Sequence, residues 1–391
     1  MRILFVVSRF PYPPIQGDRV RGYNQIRILS RKNRVVLVTP LPSKNFKDSL
    51  NDLRPFCEHI EVVNTPSFKR FLRMWRTPFN DLPLQTLYLF DPKVRKKVKF
   101  LLKNQSFDII HVQLIRSAPV VEVHRDIPKV IDLIDSLSLN MSRRAQKEIW
   151  PLSWIASFEA RRVQQYERFL TQKYDRLIVS SQIDREFIGD YKNLHVIPNG
   201  VDIDFYPYSE DDRETDMIVF TGRMGYFPNA DAAVWFVNRV FPIINNKKPN
   251  TKFFIIGADP PRKVRELEKQ ENVFVTGYVP DLRDFLKRAT IAVAPMQSGS
   301  GMQFKVLEAM ACGAPVVASQ YAIGGIKAVE GEHLLVANNE KEFAEKAVHL
   351  LNNADLRRQL TRNARNLVEK EYTWERSVEM LEDVYRLIIS K

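Results

Sequence analysis

The most informative segment of the chain spans residues 294–317 and reads APMQSGSGMQFKVLEAMACGAPVV. Its pattern predicts a β-strand that ends at Ala294, a glycine-rich turn, and a helix that begins at about Met302. The first backbone N–H groups of a helix have no partner within it, and the helix dipole adds partial positive charge there. We therefore expect this turn to form a binding site for a diphosphate.

Two charged residues follow on the predicted helix. Lys305 and Glu308 are three residues apart, so they share one face of its first turns. A cation beside phosphates and a carboxylate placed for sugar hydroxyls would suit a nucleotide diphosphate. An ordinary surface Lys–Glu pair is the alternative interpretation. A dinucleotide fingerprint fits less well, because Phe304 stands where its third glycine belongs.

Apolar runs alternate with helical segments along the whole chain. Continuous runs such as 217–220 and 253–256 are typical of parallel strands buried on both faces. The predicted strands are 2–8, 34–40, 59–64, 108–113, 129–135 and 175–180 in the first half, and 217–221, 252–257, 273–276, 291–295, 315–319 and 333–337 in the second. With 391 residues, this pattern predicts two α/β domains.

The predicted domains are 1–205 and 206–373, with a linker near 198–215 where periodicity breaks and the chain becomes polar. A last helix is predicted over 374–390, with Thr373 as its cap and an apolar stripe at steps of three and four. The pattern leaves open whether this helix covers the second domain or packs back on the first.

Composition narrows the class of protein. The two cysteines, Cys57 and Cys312, have no metal-ligand spacing, which disfavours a disulfide framework and favours a reducing cytoplasm. The apolar run at 1–7 is too short for a signal peptide, and no apolar stretch approaches the ~20 residues of a membrane span. The formal charge of +13 lies in the first half, where 1–205 hold 34 Lys and Arg against 21 Asp and Glu.

Much of this charge lies in residues 67–103, which hold ten Lys and Arg and two Asp and Glu. The early basic residues alternate with the aromatic residues Phe68, Phe71, Trp75 and Phe79. Five later basic residues cluster together, namely Lys93, Arg95, Lys96, Lys97 and Lys99. They are followed by the apolar triplet Phe100, Leu101 and Leu102. A solvated helix face is one interpretation. A patch that binds an anionic membrane surface is the other, and the confinement of the charge to this half favours it.

The segment KVLEAMACGAPVV at 305–317 resembles the signature of the family 4 glycosyltransferases, also called group 1, which have the GT-B fold. Further segments match the family pattern in the expected order, so the resemblance covers nearly the whole chain. They are Gly17 after the first strand, VIPNGVD at 196–202, IVF at 218–220 leading to Gly222 and Arg223, and GYVPD at 277–281. The stretches DLIDS at 132–136 and YFPN at 226–229 resemble a bacterial subgroup associated with exosortase and exopolysaccharide systems.

The resemblance implies an α/β fold of two Rossmann-like domains with a central cleft. Residues 1–205 would form the acceptor side and 206–373 the nucleotide-sugar side. Glu308 matches the second glutamate of the family's E-x7-E motif, which holds the ribose. Ser300 stands in place of the first glutamate, so the chain departs from that motif. Backbone N–H groups of Gly301, Met302 and Gln303 are then expected to bind the donor sugar and its phosphates.

The remaining positions are carried over in the same way. Arg223 matches the arginine that meets the diphosphate. The lysine that usually follows it is missing, because Phe227 and Pro228 occupy that region, and Lys305 is the expected substitute. The backbone at Val279 falls where the family meets the base, and Gly17 falls where the first domain approaches the phosphates.

The acceptor side rests on DIIHVQ at 108–113. The histidine of many relatives aligns with Gln113, and His111 lies on the same strand face two residues earlier. Either side chain would then reach the donor sugar, although a histidine at a strand end is often structural.

The predicted function is transfer of a sugar from a nucleotide diphosphate sugar to a lipid-linked glycan or exopolysaccharide intermediate, with retention. The predicted location is cytoplasmic and peripheral on the inner membrane face, without nucleic acid as a partner. Residues 202–204 form a DxD, the metal motif of another glycosyltransferase fold, but after Pro-Asn-Gly we interpret it as a turn and expect neither an essential metal nor another cofactor. Two alternatives remain open, namely a GT-B-fold epimerase and a degenerate sugar-nucleotide-binding scaffold, the latter suggested by Ser300 and Gln113.

Overall fold

The computed structural model describes residues 1–15, 17–41, 46–64, 81–121, 126–146, 148–210, 213–298 and 301–389. The chain divides into two compact units. The first consists of Met1–Asn199 together with Trp374–Lys391, and the second of Gly200–Thr373. The boundary thus falls a few residues before the predicted one, and the C-terminal segment belongs to the first unit.

Within the described residues, the first unit has a parallel sheet of seven strands: β1 (Arg2–Val6), β2 (Arg34–Pro40), β3 (His59–Val63), β4 (Ile109–Gln113), β5 (Lys129–Ile134), β6 (Arg176–Val179) and β7 (Leu194–Val196). Their order across the sheet is β3-β2-β1-β4-β5-β6-β7. The helices that follow these strands are α1 (Gly17–Leu29), α2 (Phe46–Leu53), α3 (Leu84–Leu89), α4 (Pro92–Asn104), α5 (Leu137–Ala145), α6 (Leu152–Lys173) and α7 (Gln182–Ile188).

In its described part, the second unit has six strands: β8 (Met217–Thr221), β9 (Lys252–Ile256), β10 (Val273–Gly277), β11 (Ile291–Ala294), β12 (Val316–Ala318) and β13 (Leu335–Val336). They are ordered β10-β9-β8-β11-β12-β13 and are all parallel. The helices are α8 (Phe227–Trp235), α9 (Phe241–Lys247), α10 (Arg262–Arg265), α11 (Arg283–Arg288), α12 (Phe304–Ala311), α13 (Gln320–Ile323), α14 (Glu340–Asn352), α15 (Ala354–Glu371) and, in the first unit, α16 (Trp374–Ile389).

The sequence pattern locates the strands well, because their apolar runs are buried on both faces, as in β1 and β8. Each predicted strand is present, with its ends moved by at most two residues. The pattern misses β7, a three-residue edge strand too short to show a period. The helix expected at about Met302 begins at Phe304. None of the described helices combines the length and apolarity that crossing a bilayer requires.

Helix α16 packs on α1 in the first unit. Its Glu382 accepts a hydrogen bond from Asn33 Nδ2 at 2.8 Å, and Ser377 Oγ donates to the carbonyl of Pro198 at 2.6 Å. Trp374 and Leu381 of the predicted apolar stripe are buried. The apolar stripe therefore covers the first unit.

Arg21, on α1, is fully buried and connects three parts of the first unit. Its Nε forms an ion pair with Asp132 Oδ2 of β5 at 2.6 Å. The same guanidinium donates to Asn199 Oδ1 at 2.9 Å and to the carbonyl of Ile197 at 3.1 Å. Asp132 also accepts from Gln25 Nε2 at 2.8 Å, so both charges are well satisfied. This network fixes the end of the first unit, where the chain leaves β7.

Replacing Arg21 with methionine leaves the Asp132 carboxylate buried without its cation. We expect the variant to lose about 3–5 kcal/mol of unfolding free energy in urea denaturation. The matched control is Arg31→Met, just beyond the end of the same helix, because Arg31 pairs with Glu375 at 3.3 Å while both side chains are about half exposed. That change should cost at most about 1 kcal/mol. Equal losses in the two variants would contradict the role given to Arg21.

Candidate functional site

The topology of the second unit places two loops beside a crevice. The strand order reverses between β8 and β11, so the connections after these neighbouring strands leave in opposite directions. Ligands of open α/β sheets bind at such a reversal, outside the carboxyl ends of the strands. β8 leads into Gly222 and Arg223, and β11 leads through 295–303 into α12. The topology thus brings together residues that are about eighty positions apart in sequence.

Lys305 lies in the first turn of α12 and is held by three groups. Its Nζ donates to Asn229 Oδ1 at 2.9 Å, to Gln303 Oε1 at 3.0 Å and to Met296 Sδ at 3.4 Å. These contacts rule out the alternative interpretation of Lys305 as an ordinary surface residue. Burial lowers the pKa of Lys305 to about 8, and the charge of Glu308 only partly opposes that effect.

Asn229, on α8, ties the two cationic residues together. Its Oδ1 accepts from Lys305, and its Nδ2 donates to the carbonyl of Arg223 at 2.9 Å. A Cβ at Gly222 would lie 2.8 Å from Asn229 Nδ2 and 3.3 Å from Lys305 Cε. Gly222 also has φ +150°, which favours glycine. The loop after β8 therefore needs glycine at this position for Asn229 and Lys305 to approach it.

Arg223 points outward from the same loop. Its guanidinium pairs with Asp259 Oδ2 at 2.9 Å, and about half of its side chain is exposed. An exposed ion pair of this kind contributes little free energy, so an anionic ligand could displace the carboxylate at small cost.

Glu308 lies one turn beyond Lys305 and accepts a hydrogen bond from the hydroxyl of Tyr206 at 3.1 Å. Burial raises the pKa of Glu308, while the Tyr206 hydrogen bond and the Lys305 charge act in the opposite direction. Burial, followed by the charge of Glu308, raises the pKa of Tyr206 far above its usual value. Tyr206 is thus a fixed hydrogen-bond donor that orients the carboxylate.

The loop before α12 is shaped by Gly301, whose φ of +71° lies in the left-handed region. Met302 is buried, and Gln303 stands at the N-cap with its side chain on Lys305. Ser300 lies outside the described residues. Val279 follows β10 and packs against the core of the unit half-buried.

The first unit places its predicted residues differently. Gly17 is exposed and is the first residue of α1. His111 is fully buried: its ring stacks on Phe5 with centroids 4.3 Å apart, and its Nδ1 lies 2.7 Å from the Tyr385 hydroxyl of α16. Burial lowers the pKa of His111 to about 4, so the ring is neutral near pH 7.

This burial corrects the catalytic role expected of His111, because a ring enclosed by β1 and α16 has no face left for a sugar. Gln113 is also buried, and its Nε2 donates to the carbonyl of Asp18 at 3.0 Å. A Cβ at Gly22 would lie 2.9 Å from Gln113 Oε1, so this side chain packs tightly against α1. Both side chains lie in the packed interior of the first unit.

The basic segment at 67–103, the predicted membrane-binding patch, is only partly exposed. Its aromatic residues Phe68, Phe71, Trp75 and Phe79 lie outside the described residues. On α4, Lys93, Lys96, Lys99 and Phe100 are at least partly exposed, but Arg95 donates to the carbonyl of Pro119 and Lys97 pairs with Glu61 at 3.1 Å. Leu101 is buried in the core and Leu102 packs against it, which corrects their expected role as membrane anchors.

The DxD lies in a turn, where Asp202 Oδ1 accepts from the N–H of Phe205 at 3.0 Å. Across the described part of the chain, no group of three or more His, Cys, Asp or Glu side chains is arranged to hold a metal ion.

Comparison with solved structures identifies the architecture. A sucrose-phosphate synthase from Thermosynechococcus elongatus aligns with a TM-score of 0.76 at 16% identity over 100% of both chains. HepE from Anabaena, solved in complex with UDP, aligns with a TM-score of 0.70 at 16% identity over 99% of this chain and 100% of that one. The two α/β units therefore form a GT-B fold.

The sequence comparisons identify the family. Residues 23–205 match the family model described as Glycosyltransferase Family 4, and residues 215–353 match the model described as Glycosyl transferases group 1. The chain belongs to the family 4, group 1 glycosyltransferases and is an enzyme. An uncharacterized protein of the cps region of Klebsiella pneumoniae is 21% identical over 95% of this chain and 96% of its own length.

Two residues of the site, Asn229 and Tyr206, are not predicted from the sequence. Asn229 stands in the YFPN stretch at 226–229, which marks its position but does not reveal its side-chain contacts. Tyr206 lies in the linker, where no periodic pattern marks it.

The geometry predicts that Asn229→Leu weakens binding of a nucleoside diphosphate, because Lys305 and the Arg223 loop lose their common partner. We expect a loss of about 1.5–3 kcal/mol, the range for a hydrogen bond to a charged group. Titration calorimetry with uridine diphosphate measures it. The control is Asn238→Leu, an exposed asparagine that bonds Gln270 in the same unit. Unchanged affinity in Asn229→Leu would refute the positioning role.

Proposed function

We propose that this enzyme transfers a sugar from a nucleotide diphosphate sugar to a lipid-linked glycan or exopolysaccharide intermediate, with retention at the anomeric carbon. One observation carries the proposal. Lys305 and the loop of Arg223 are joined through Asn229 at the strand-order reversal of the second unit. Two cationic residues placed in this way favour an anionic ligand such as a diphosphate over a neutral one.

The diphosphate is the leaving group in such a transfer. As the bond from the anomeric carbon to the β-phosphate oxygen breaks, its electron pair stays on the diphosphate. Arg223, Lys305 and the first turn of α12 stabilise this developing charge. A lysine that is already desolvated needs little reorganisation, which makes its charge more effective than one in bulk water.

The other site residues orient the donor. Glu308, held by the Tyr206 hydroxyl, is suited to accept hydrogen bonds from the ribose hydroxyls. Backbone N–H groups of Gly301, Met302 and Gln303 serve the phosphates and the donor sugar, and the backbone at Val279 serves the base. For Gly17, at the start of α1, we carry over the phosphate-binding role that the family resemblance implies.

The acceptor hydroxyl forms the new bond to the anomeric carbon and releases one proton. Because His111 is enclosed in the core, we assign that proton to the departing diphosphate oxygen. This assignment accords with retention, since acceptor and leaving group then lie on the same face of the sugar.

Two comparisons support the substrate classes. HepE was solved with UDP, which supports a uridine diphosphate sugar as the first donor to test. The Klebsiella relative lies in a cps region, which supports a polysaccharide intermediate as acceptor. The positive charge of the first half supports a location at the inner membrane face.

The direct test is turnover of a panel of nucleotide sugars by the purified protein, with and without a lipid-linked acceptor. We expect release of nucleoside diphosphate from at least one donor, and NMR of the product should show the donor's anomeric configuration. Release of nucleoside diphosphate that stays at background for every donor in the panel would reject the proposal.

The same assay tests metal independence, which rests on cationic side chains beside the proposed diphosphate site and on the turn that holds the DxD. We expect activity to persist in excess EDTA. Loss of activity that manganese or magnesium restores would show that a metal neutralises the diphosphate instead.

Lys305 gives the proposal a pH signature. With its pKa lowered to about 8 by burial, Lys305 is protonated below that pH and loses its charge above it. Affinity for uridine diphosphate should therefore be full near pH 7 and fall as pH rises through about 8. Lys305→Ala should be weaker by about 1.5–3 kcal/mol at neutral pH and lose this pH dependence.

Lys305→Arg is the control, because a guanidinium stays charged throughout this range. It should retain binding with a flatter pH profile. A parent profile that does not change on either side of the Lys305 pKa, or one that Lys305→Ala leaves intact, would refute the contribution of Lys305.

A further inference from the structure

The start of α6 exposes an apolar surface that the proposed chemistry does not use. We call it the apolar tip and define it by its large exposed side chains: Ile149, Trp150, Leu152, Trp154, Ile155 and Phe158. Trp150 is 81% exposed and Trp154 is 65% exposed, far more than is usual for tryptophan. Trp154 and Phe158 stack with ring centroids 5.8 Å apart, so these two rings form one continuous apolar surface.

The opposite face of α6 is already buried. Ala156, Ala160 and Val163 pack inward, and Glu159 accepts hydrogen bonds from the N–H groups of Leu84 and Gln85 at the start of α3. The helix therefore cannot rotate to hide its aromatic residues without breaking these contacts. A helix that is apolar on both faces is expected to be covered on both.

The size of the tip also calls for an occupant. Aromatic side chains bury 150–250 Å² each, so the exposed parts of its three aromatic residues alone amount to roughly 400 Å². Contiguous apolar patches of that size on soluble proteins commonly mark interaction sites.

The charges around the tip indicate the chemistry of that occupant. Residues 137–173 contain seven Lys and Arg against three Asp and Glu. Of the three acids, Glu159 and Glu167 are buried, and Glu148 pairs with Arg144 at 3.0 Å. Arg161 lies exposed one turn beyond Phe158. The tip is thus apolar and aromatic, and the exposed charged side chains described in residues 137–173 are cationic.

An anionic lipid surface matches this combination. Tryptophan concentrates at membrane interfaces, where its ring meets both headgroups and acyl chains, and arginine pairs with lipid phosphates. A second copy of the chain would bring two cationic segments of residues 137–173 together, which like-charge repulsion opposes.

We propose that the apolar tip at the start of α6 inserts into the interface of an anionic membrane and is the principal membrane-binding surface of the enzyme. The inference rests on the proposed function only for its purpose, which is to meet a lipid-linked acceptor where it resides. It also transfers the main anchoring role from α4 to α6.

The experiment is co-sedimentation with vesicles of phosphatidylcholine alone or mixed with phosphatidylglycerol. We expect the parent to bind the mixed vesicles, with affinity that falls as salt screens the arginines. The double variant Trp150→Ser, Trp154→Ser should bind at least tenfold more weakly and should fold normally, because both residues are exposed.

Two matched controls separate the surfaces. Phe100→Ser removes an exposed aromatic residue from α4, and Lys93→Gln, Lys96→Gln, Lys99→Gln removes bases from the same helix. Each should change vesicle affinity less than the double tryptophan variant. The proposal would be overturned if the parent did not bind the mixed vesicles or if the double variant bound them as well as the parent. A larger loss of vesicle affinity in the α4 variants than in the double variant would also overturn it.

Two further measurements separate membrane binding from self-association and from a loss of catalysis. The parent should remain monomeric in sedimentation velocity, since a self-association abolished by the double variant would show that a second copy covers the tip. Release of nucleoside diphosphate from the donor, measured without lipid, should be equal in the parent and the double variant. If neither protein releases nucleoside diphosphate, the result counts against the proposed function and leaves the membrane-binding result unaffected, because vesicle binding is measured without any substrate.

Discussion

The site depends on one topological constraint, the reversal of strand order between β8 and β11. Parallel strands bring all their carboxyl ends to the same edge, and the reversal separates the two loops that leave neighbouring strands there. The positions of the two loops follow from that separation. The loop of Arg223 comes from one side, α12 with Lys305 comes from the other, and Asn229 spans them.

Lys305 shows how the fold prepares a charge before its ligand arrives. Its partners Asn229, Gln303 and Met296 are neutral, so they orient the ammonium without satisfying its charge. The nearby carboxylate of Glu308 is occupied by the Tyr206 hydroxyl. The arrangement lowers the pKa of Lys305 to about 8, and in our proposal the donor diphosphate neutralises its charge.

The second unit can be predicted largely from the sequence because its information is local. Apolar runs identify buried strands, and a three-residue spacing places Lys305 and Glu308 on one helix face. The first unit cannot be predicted as fully. His111 is enclosed by Tyr385, which lies 274 positions later, and no local pattern reports such a contact. The contacts of Asn229 and the exposure of Trp150 are likewise results of tertiary packing.

The most direct test of the diphosphate site is a crystal structure of the protein with a bound nucleoside diphosphate. We predict that the β-phosphate lies at the β8–β11 reversal, within hydrogen-bond distance of Lys305 Nζ, the Arg223 guanidinium and the backbone N–H groups of Gly301 to Gln303. We also predict that the Arg223–Asp259 pair opens. A diphosphate bound at another edge of the sheet, or at this edge without contact to Lys305 or Arg223, would contradict the site described above.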